Sequence, residues 1–213
     1  MRPVRPQRSA GFTLIEAGVV LAILGILIAV AVPGMQDWVL GRKAMSAAGF
    51  YKDGLMLARS QAVAHNSASR LVLVDNANGQ MDWRVDLCWP TESTPCNADS
   101  GSWSTASAAA TGDPDGSAGF RSITRSASTM PDSKQLATLT VPVEADTAYF
   151  TPLGWVDGKV SPRLMRVTLA PAITRSGAFA PLAVALTLAG NAAICNPGAA
   201  AHSARACPPG TTP

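Results

Sequence analysis

The sequence predicts an α+β fold: a long N-terminal α-helix, its first half transmembrane, packed on an antiparallel β-sheet globular domain. Three observations carry this expectation. Residues 12–32 are apolar except for Thr13 and Glu16. Small and apolar residues then recur at spacings of three and four as far as residue 65, which is the signature of one buried helix face. Beyond that point the composition turns to Ala, Ser, Thr, Gly and Pro, with short alternating runs, which suits strands and turns better than a helical bundle.

The apolar run has 21 residues, Phe12 to Val32. At about 1.5 Å rise per residue, a helix of that length crosses a hydrocarbon core of roughly 30 Å. Arg2, Arg5 and Arg8 precede it and hold the extreme N-terminus in the cytoplasm, sending the remainder across. An ordinary secretory signal is one reading, since Ala29-Val30-Ala31 offers a small-x-small cleavage pattern. The run, however, exceeds a normal signal core of roughly 7–15 residues. A plain one-pass anchor is another reading, but it leaves Glu16 unexplained. A carboxylate within a membrane segment costs at least ~2.5 kcal/mol and marks function.

A third reading uses every residue. Gly11-Phe12-Thr13-Leu14-Ile15-Glu16 resembles the type III signal of type IV pilins and type II secretion pseudopilins. The resemblance implies cleavage by a prepilin peptidase between Gly11 and Phe12, N-methylation of the new terminal Phe12, and pairing of Glu16 with the terminal amine of a neighbouring subunit during assembly. Gly11 suits this because it lets the chain enter a tight active site in extended form. Pro33 falls where family members also carry Pro and is expected to kink or loosen the helix. Ala17 stands where Leu or Met is commoner. The expected organisation is a leader peptide at 1–11, a transmembrane and filament-core helix at 12–33, its continuation at 34–66, and a periplasmic β-rich domain at 67–213.

Within 34–65, the stripe expected to be buried is Trp38, Gly41, Met45, Ala48, Tyr51, Leu55, Ala58 and Ala62. Gly49 and Gly54 weaken the helix, so tertiary contact must hold it. The segment from Leu57 to Asn66, LARSQAVAHN, resembles the helix end of the GspH/FimT branch, with Gln61 in place of the usual Glu and His65 in place of a basic residue. Asn66 can close the helix in a left-handed conformation. Strands are expected at 70–74 and 83–87, with a turn over 75–82, and at 136–143, 148–151, 165–169 and 182–188. Val85, Leu87 and Trp89 alternate with Arg84 and Asp86, as one solvated face requires. Two segments, Tyr149 to Gly154 and Leu186 to Gly190, resemble late motifs of the same branch. Residues 90–118 read as a surface excursion with little regular structure. Residues 196–213 read as a tail, mobile beyond Cys207.

Cleavage removes three arginines and leaves 14 basic against 14 acidic side chains, a neutral mature chain. That balance offers no basic excess for a nucleic-acid partner. Some FimT-type proteins that resemble this chain bind DNA through Gly-Arg-x-Arg. Here the matching stretch is Gly190-Asn191-Ala192-Ala193, which lacks both arginines. DNA is therefore disfavoured as a partner, although Arg163, Arg166 and Arg175 could cluster in the fold. The four cysteines form no C-x-x-C, and an even count in an exported chain reads as disulfides. Three connectivities exist and sequence alone does not choose. Easy closure of short loops favours Cys88 with Cys96 and Cys195 with Cys207.

No G-x-S-x-G, phosphate loop or H-E-x-x-H occurs, so no enzyme, cofactor or metal site is expected. The resemblance implies a minor pilin or pseudopilin that helps to initiate or cap a type IV pilus or a type II secretion pseudopilus. Its expected setting is the inner membrane, single-pass, with the C-terminal domain in the periplasm, and later an extracellular pilus or periplasmic pseudopilus. Its expected partners are prepilin peptidase, other minor and major pilins or pseudopilins, and inner-membrane lipid.

Overall fold

A computed structural model describes residues 11–91 and 93–209 of the chain. Arg2, Arg5 and Arg8, with most of the expected leader, lie outside the described residues, as do the last four residues of the tail. One helix, α1, runs from Leu14 to Ala64 and is continuous through Pro33. The chain divides into two compact units, with the boundary between Val39 and Leu40.

In the first unit the helix is long and apolar enough to cross a membrane. Leu21, Leu24 and Leu27 are all at least half exposed. In the second unit the helix is buried along Leu40, Ala44, Ala47, Ala48, Tyr51, Leu55, Ala58 and Ala62. The stripe expected from the sequence holds from Ala48 onward, is half-kept at Gly41 and fails at Trp38 and Met45. Trp38 is 62% exposed and Met45 45% exposed. Leu40, Ala44 and Ala47 take the inward positions instead, because the helix phase shifts by about one residue relative to a stripe drawn through the largest apolar side chains. At the other end, Asn66 adopts φ 46° and the Ser67 amide donates to the Ala62 carbonyl at 3.1 Å, a left-handed closure of the helix.

Among the described residues eight strands follow: β1 Ala68–Asp75, β2 Met81–Cys88, β3 Ile123–Arg125, β4 Leu136–Val141, β5 Thr147–Phe150, β6 Arg166–Pro171, β7 Leu182–Leu186 and β8 Ala192–Cys195. They build two four-stranded sheets, in the orders β3-β2-β1-β5 and β4-β6-β7-β8. Every described pairing within the sheets is antiparallel. The fold is thus α+β, with two sheets in place of one. The first is centred on the β1–β2 hairpin, whose register runs from Ala68 opposite Cys88 to Asp75 opposite Met81.

The core lies between α1 and both sheets. Ala44, Ala48, Ala58 and Ala62 of the helix meet Leu71, Val85 and Phe150 of the first sheet and Leu136, Leu169 and Val184 of the second. Each large aliphatic side chain in such a core contributes about 1.5–3 kcal/mol, while the alanines let the backbones approach. Gly54 is the tightest point on the helix: a Cβ there would lie 2.8 Å from Leu71 Cδ1 and 3.0 Å from the Trp83 ring. Gln80 is fully buried and ties the sheets together. Its side-chain amide donates to the Pro131 and Leu136 carbonyls, and its oxygen accepts from Thr138.

The face of β2 expected to be solvated is covered. Asp86 is fully buried and accepts from Arg70 Nε at 2.9 Å and Arg84 Nε at 2.8 Å. Trp103 forms the roof, with the Arg70 guanidinium 4.3 Å from its ring. The roof comes from the 90–118 excursion, which contains one short 3-10 turn at Gly116–Ala118. The alternation was legible, but a distant loop that returns to cap it was not.

Candidate functional site

Gly11, Phe12 and Thr13 precede the first helical residue, Leu14. The Glu16 amide donates to Thr13 Oγ1 at 3.3 Å, and the Ala17 amide to the Thr13 carbonyl at 3.1 Å. Thr13 is therefore the N-cap, and Thr13-Leu14-Ile15-Glu16 is a T-x-x-E capping sequence. This signal was present in the sequence and went unread beside the longer motif. It gives Glu16 a local role, because a carboxylate in the first turn faces the positive end of the helix dipole. Phe12 is 74% exposed, Leu14 91% and Ile15 76%.

Three weakly patterned segments meet at the far end of α1. Arg59 Nε donates to the Gly154 carbonyl at 3.0 Å, and Arg59 Nη1 donates to Asn191 Oδ1 at 2.9 Å. Gly154 and Gly190 both hold positive φ, at 77° and 78°. A Cβ on Gly154 would lie 2.8 Å from Val63 Cγ2, and one on Gly190 would collide with the Gly154 carbonyl oxygen. LARSQA, TPLG and TLAGN thus form one latch, in which a helix arginine fixes two glycine turns. Sequence reading found each segment and did not join them, because contacts across 95 and 132 positions leave no periodic trace.

Cys88 is bonded to Cys96, and Cys195 to Cys207. The first bridge closes the base of the loop that roofs Asp86. The second holds the C-terminal segment on the outer side of β7, where Cys195 and Cys207 pack against Ala183 and Ala185. Arg163, Arg166 and Arg175 form no exposed cluster. Arg163 lines a small cavity with Leu186 and Leu188, Arg166 is 9% exposed within β6, and Arg175 ends a 3-10 turn beyond the other end of that strand. No group of three or more metal-ligating side chains occurs among the described residues.

Two comparisons with known proteins found similarities. Residues 6–32 match the prokaryotic N-terminal methylation motif. Among solved structures, the type IV minor pilin FimU of Pseudomonas aeruginosa is similar to this chain at 14% identity. The match covers 76% of this chain and 95% of that one, with a TM-score of 0.41. No curated protein matches the chain. The chain carries a prepilin-type methylation motif, which implies processing by the peptidase that reads it and assembly with other pilin-type subunits.

Proposed function

We propose that this chain is a structural minor pilin or pseudopilin, cut between Gly11 and Phe12, methylated on Phe12, and recruited through Glu16 into a complex that initiates or caps a filament. The observation that carries the reading is the methylation motif over residues 6–32, which runs into the apolar, exposed N-terminal part of α1. A side chain such as Leu24 or Ile26, exposed on a monomer, costs about 1.5–3 kcal/mol relative to burial. Lipid first and neighbouring helices afterwards remove that cost. Glu16 carries the selectivity. Its charge is expensive in low dielectric unless a cation meets it, and the amine created at Phe12 of a staggered neighbour supplies one.

Before assembly the chain sits in the inner membrane as a single-pass protein, with the sheets and both disulfides in the periplasm, an oxidising compartment. The local cysteine pairs lean toward the pilus rather than the secretion machine. Capture of the mature protein from its own membranes tests the proposal. Recovery of other pilin-type subunits is expected, and their identity chooses between pilus and pseudopilus. Recovery of the chain alone after crosslinking would contradict the reading.

A further inference from the structure

The second unit has one pole where α1 enters it, and the connection between β6 and β7, residues 172–181, lies there. Phe179 of this connection packs on the helix: a Cβ on Gly41 would lie 3.3 Å from Phe179 Cβ. The connection is also fixed to the turn that leads into β4. The Ala172 amide donates to the Gln135 carbonyl at 3.1 Å, and the Thr174 hydroxyl to the Lys134 carbonyl at 2.8 Å. Between these two bonds stands Ile173, the first residue of a 3-10 turn that has no buried member. Ile173 is 97% exposed, more than any other large apolar side chain among the described residues. The backbone is thus held on both sides of an apolar side chain that its own fold leaves almost uncovered. Cations stand in the same three segments: Arg42 and Lys43 follow Gly41, Lys134 lies in the turn before β4, and Arg175 ends the 3-10 turn. The carboxylates of this part of the second unit are Asp132 and, at the end of β1, Asp75. Gly41 lies nine positions after Val32, the end of the apolar run, which is about 14 Å of helix. This pole is therefore the part of the second unit nearest in chain to the membrane boundary. Trp38, three positions before Gly41, is 62% exposed and is of the type that settles at a membrane–water interface.

We propose that this pole docks on an anionic phospholipid surface, with Ile173 entering the interface as an apolar anchor and Arg42, Lys43, Lys134 and Arg175 meeting lipid phosphates. The proposal rests on the membrane reading given above and adds a second contact to it. An exposed apolar side chain accompanied by cations is the pattern of an interfacial anchor, and each cation near an anionic surface adds an attraction that a neutral surface lacks. A protein partner is met by a contiguous apolar patch. Ile173 is instead a single apolar side chain with Thr174 and Ser176 beside it, which suits a fluid interface. Docking holds the domain against the bilayer until the subunit is lifted out of it.

The test uses the full chain, in vesicles and in its own cells, with a photoreactive diazirine side chain in place of Ile173, Leu24 or Leu188. In vesicles containing phosphatidylglycerol, the probe replacing Ile173 should form phospholipid adducts, read by mass spectrometry. The probe replacing Leu188, in the latch at the far end of α1, should form none. Equal adducts from these two probes would overturn the docking surface, as would none from the Ile173 probe while the Leu24 probe is labelled. A Leu24 probe without adducts would instead count against the membrane reading itself. Vesicles of phosphatidylcholine alone, and the double variant Lys43→Gln with Lys134→Gln, should each lower the yield from the Ile173 probe about fivefold and leave that from Leu24 unmoved. An unchanged yield in either would overturn the anionic surface as the partner. In cells, adducts of the Ile173 probe with another subunit and none with lipid would overturn the lipid surface in favour of a protein.

Discussion

Glu16 answers to two demands, and single substitutions separate them. As the last residue of a capping sequence it favours the helix start, a role that Gln also fills. In the assembly proposed above, its charge selects a neighbour. Glu16→Gln should therefore leave insertion, cleavage and the folded domain intact but lower crosslinking to partner subunits. Thr13→Ala should cost the helix about 1 kcal/mol and leave recruitment nearly unchanged. Wild-type crosslinking with Gln, Ala and Leu alike at position 16 would remove the charge from the mechanism. Asp82 sets an acid limit on the domain. Burial raises its carboxyl pKa, but bonds from the Ala127 amide, Asn76 and Ser126 outweigh that and hold it below 3.8. A lowered folded-state value stabilises at pH above the unfolded value and is lost as pH falls through the folded one. Melting temperature should drop below about pH 4, more steeply in the wild type than in Asp82→Asn. Tyr51 sets the alkaline limit. Burial pushes its hydroxyl up to about 12 from 10.0, so its contribution is complete below pH 10 and lost toward pH 12. Tyr51→Phe should flatten that alkaline fall.

At the scale of elements, the latch and the helix–sheet contact make separate claims. Arg59→Ala removes two hydrogen bonds from a charged donor, each worth about 1.5–3 kcal/mol when buried. The bond to Asn191 is exposed and is discounted accordingly. A net loss of about 2 kcal/mol and a fall of about 4–8 °C in melting temperature are expected, with Arg59→Lys recovering little, because one ammonium cannot reach both turns. An unchanged midpoint would show that the glycine turns hold themselves. Gly54→Ala sets a propensity gain of about 1 kcal/mol against overpacking on Leu71 and Trp83 of about 1–3 kcal/mol; calorimetry should find net destabilisation. Strand legibility followed length and pattern. The β1–β2 hairpin was readable because Leu71, Leu73, Val85 and Leu87 alternate around a turn. β3 is three exposed residues and β8 only four, and both exist by pairing with longer neighbours, so neither carries a local signal. Met81 and Cys88 extend β2 past its expected ends because β1 continues opposite them.

At the scale of the whole molecule, the N-terminal segment was the most legible part of the chain, because its chemistry is written in consecutive residues. Gly11, Phe12 and Glu16 need no tertiary context to be seen, whereas Arg59, Asp86 and Ile173 acquire meaning only from residues brought to them by the fold. The central claim is accordingly the one made by consecutive residues: this helix is cut before its apolar run and not after it. Intact-mass and N-terminal peptide analysis of the protein from its own membranes measures this directly. The account predicts a mature chain lacking residues 1–11 and carrying one added methyl group on Phe12, with Gly11→Val retained as precursor. A mature terminus after Ala31, or an uncut chain beginning at Met1, would contradict it.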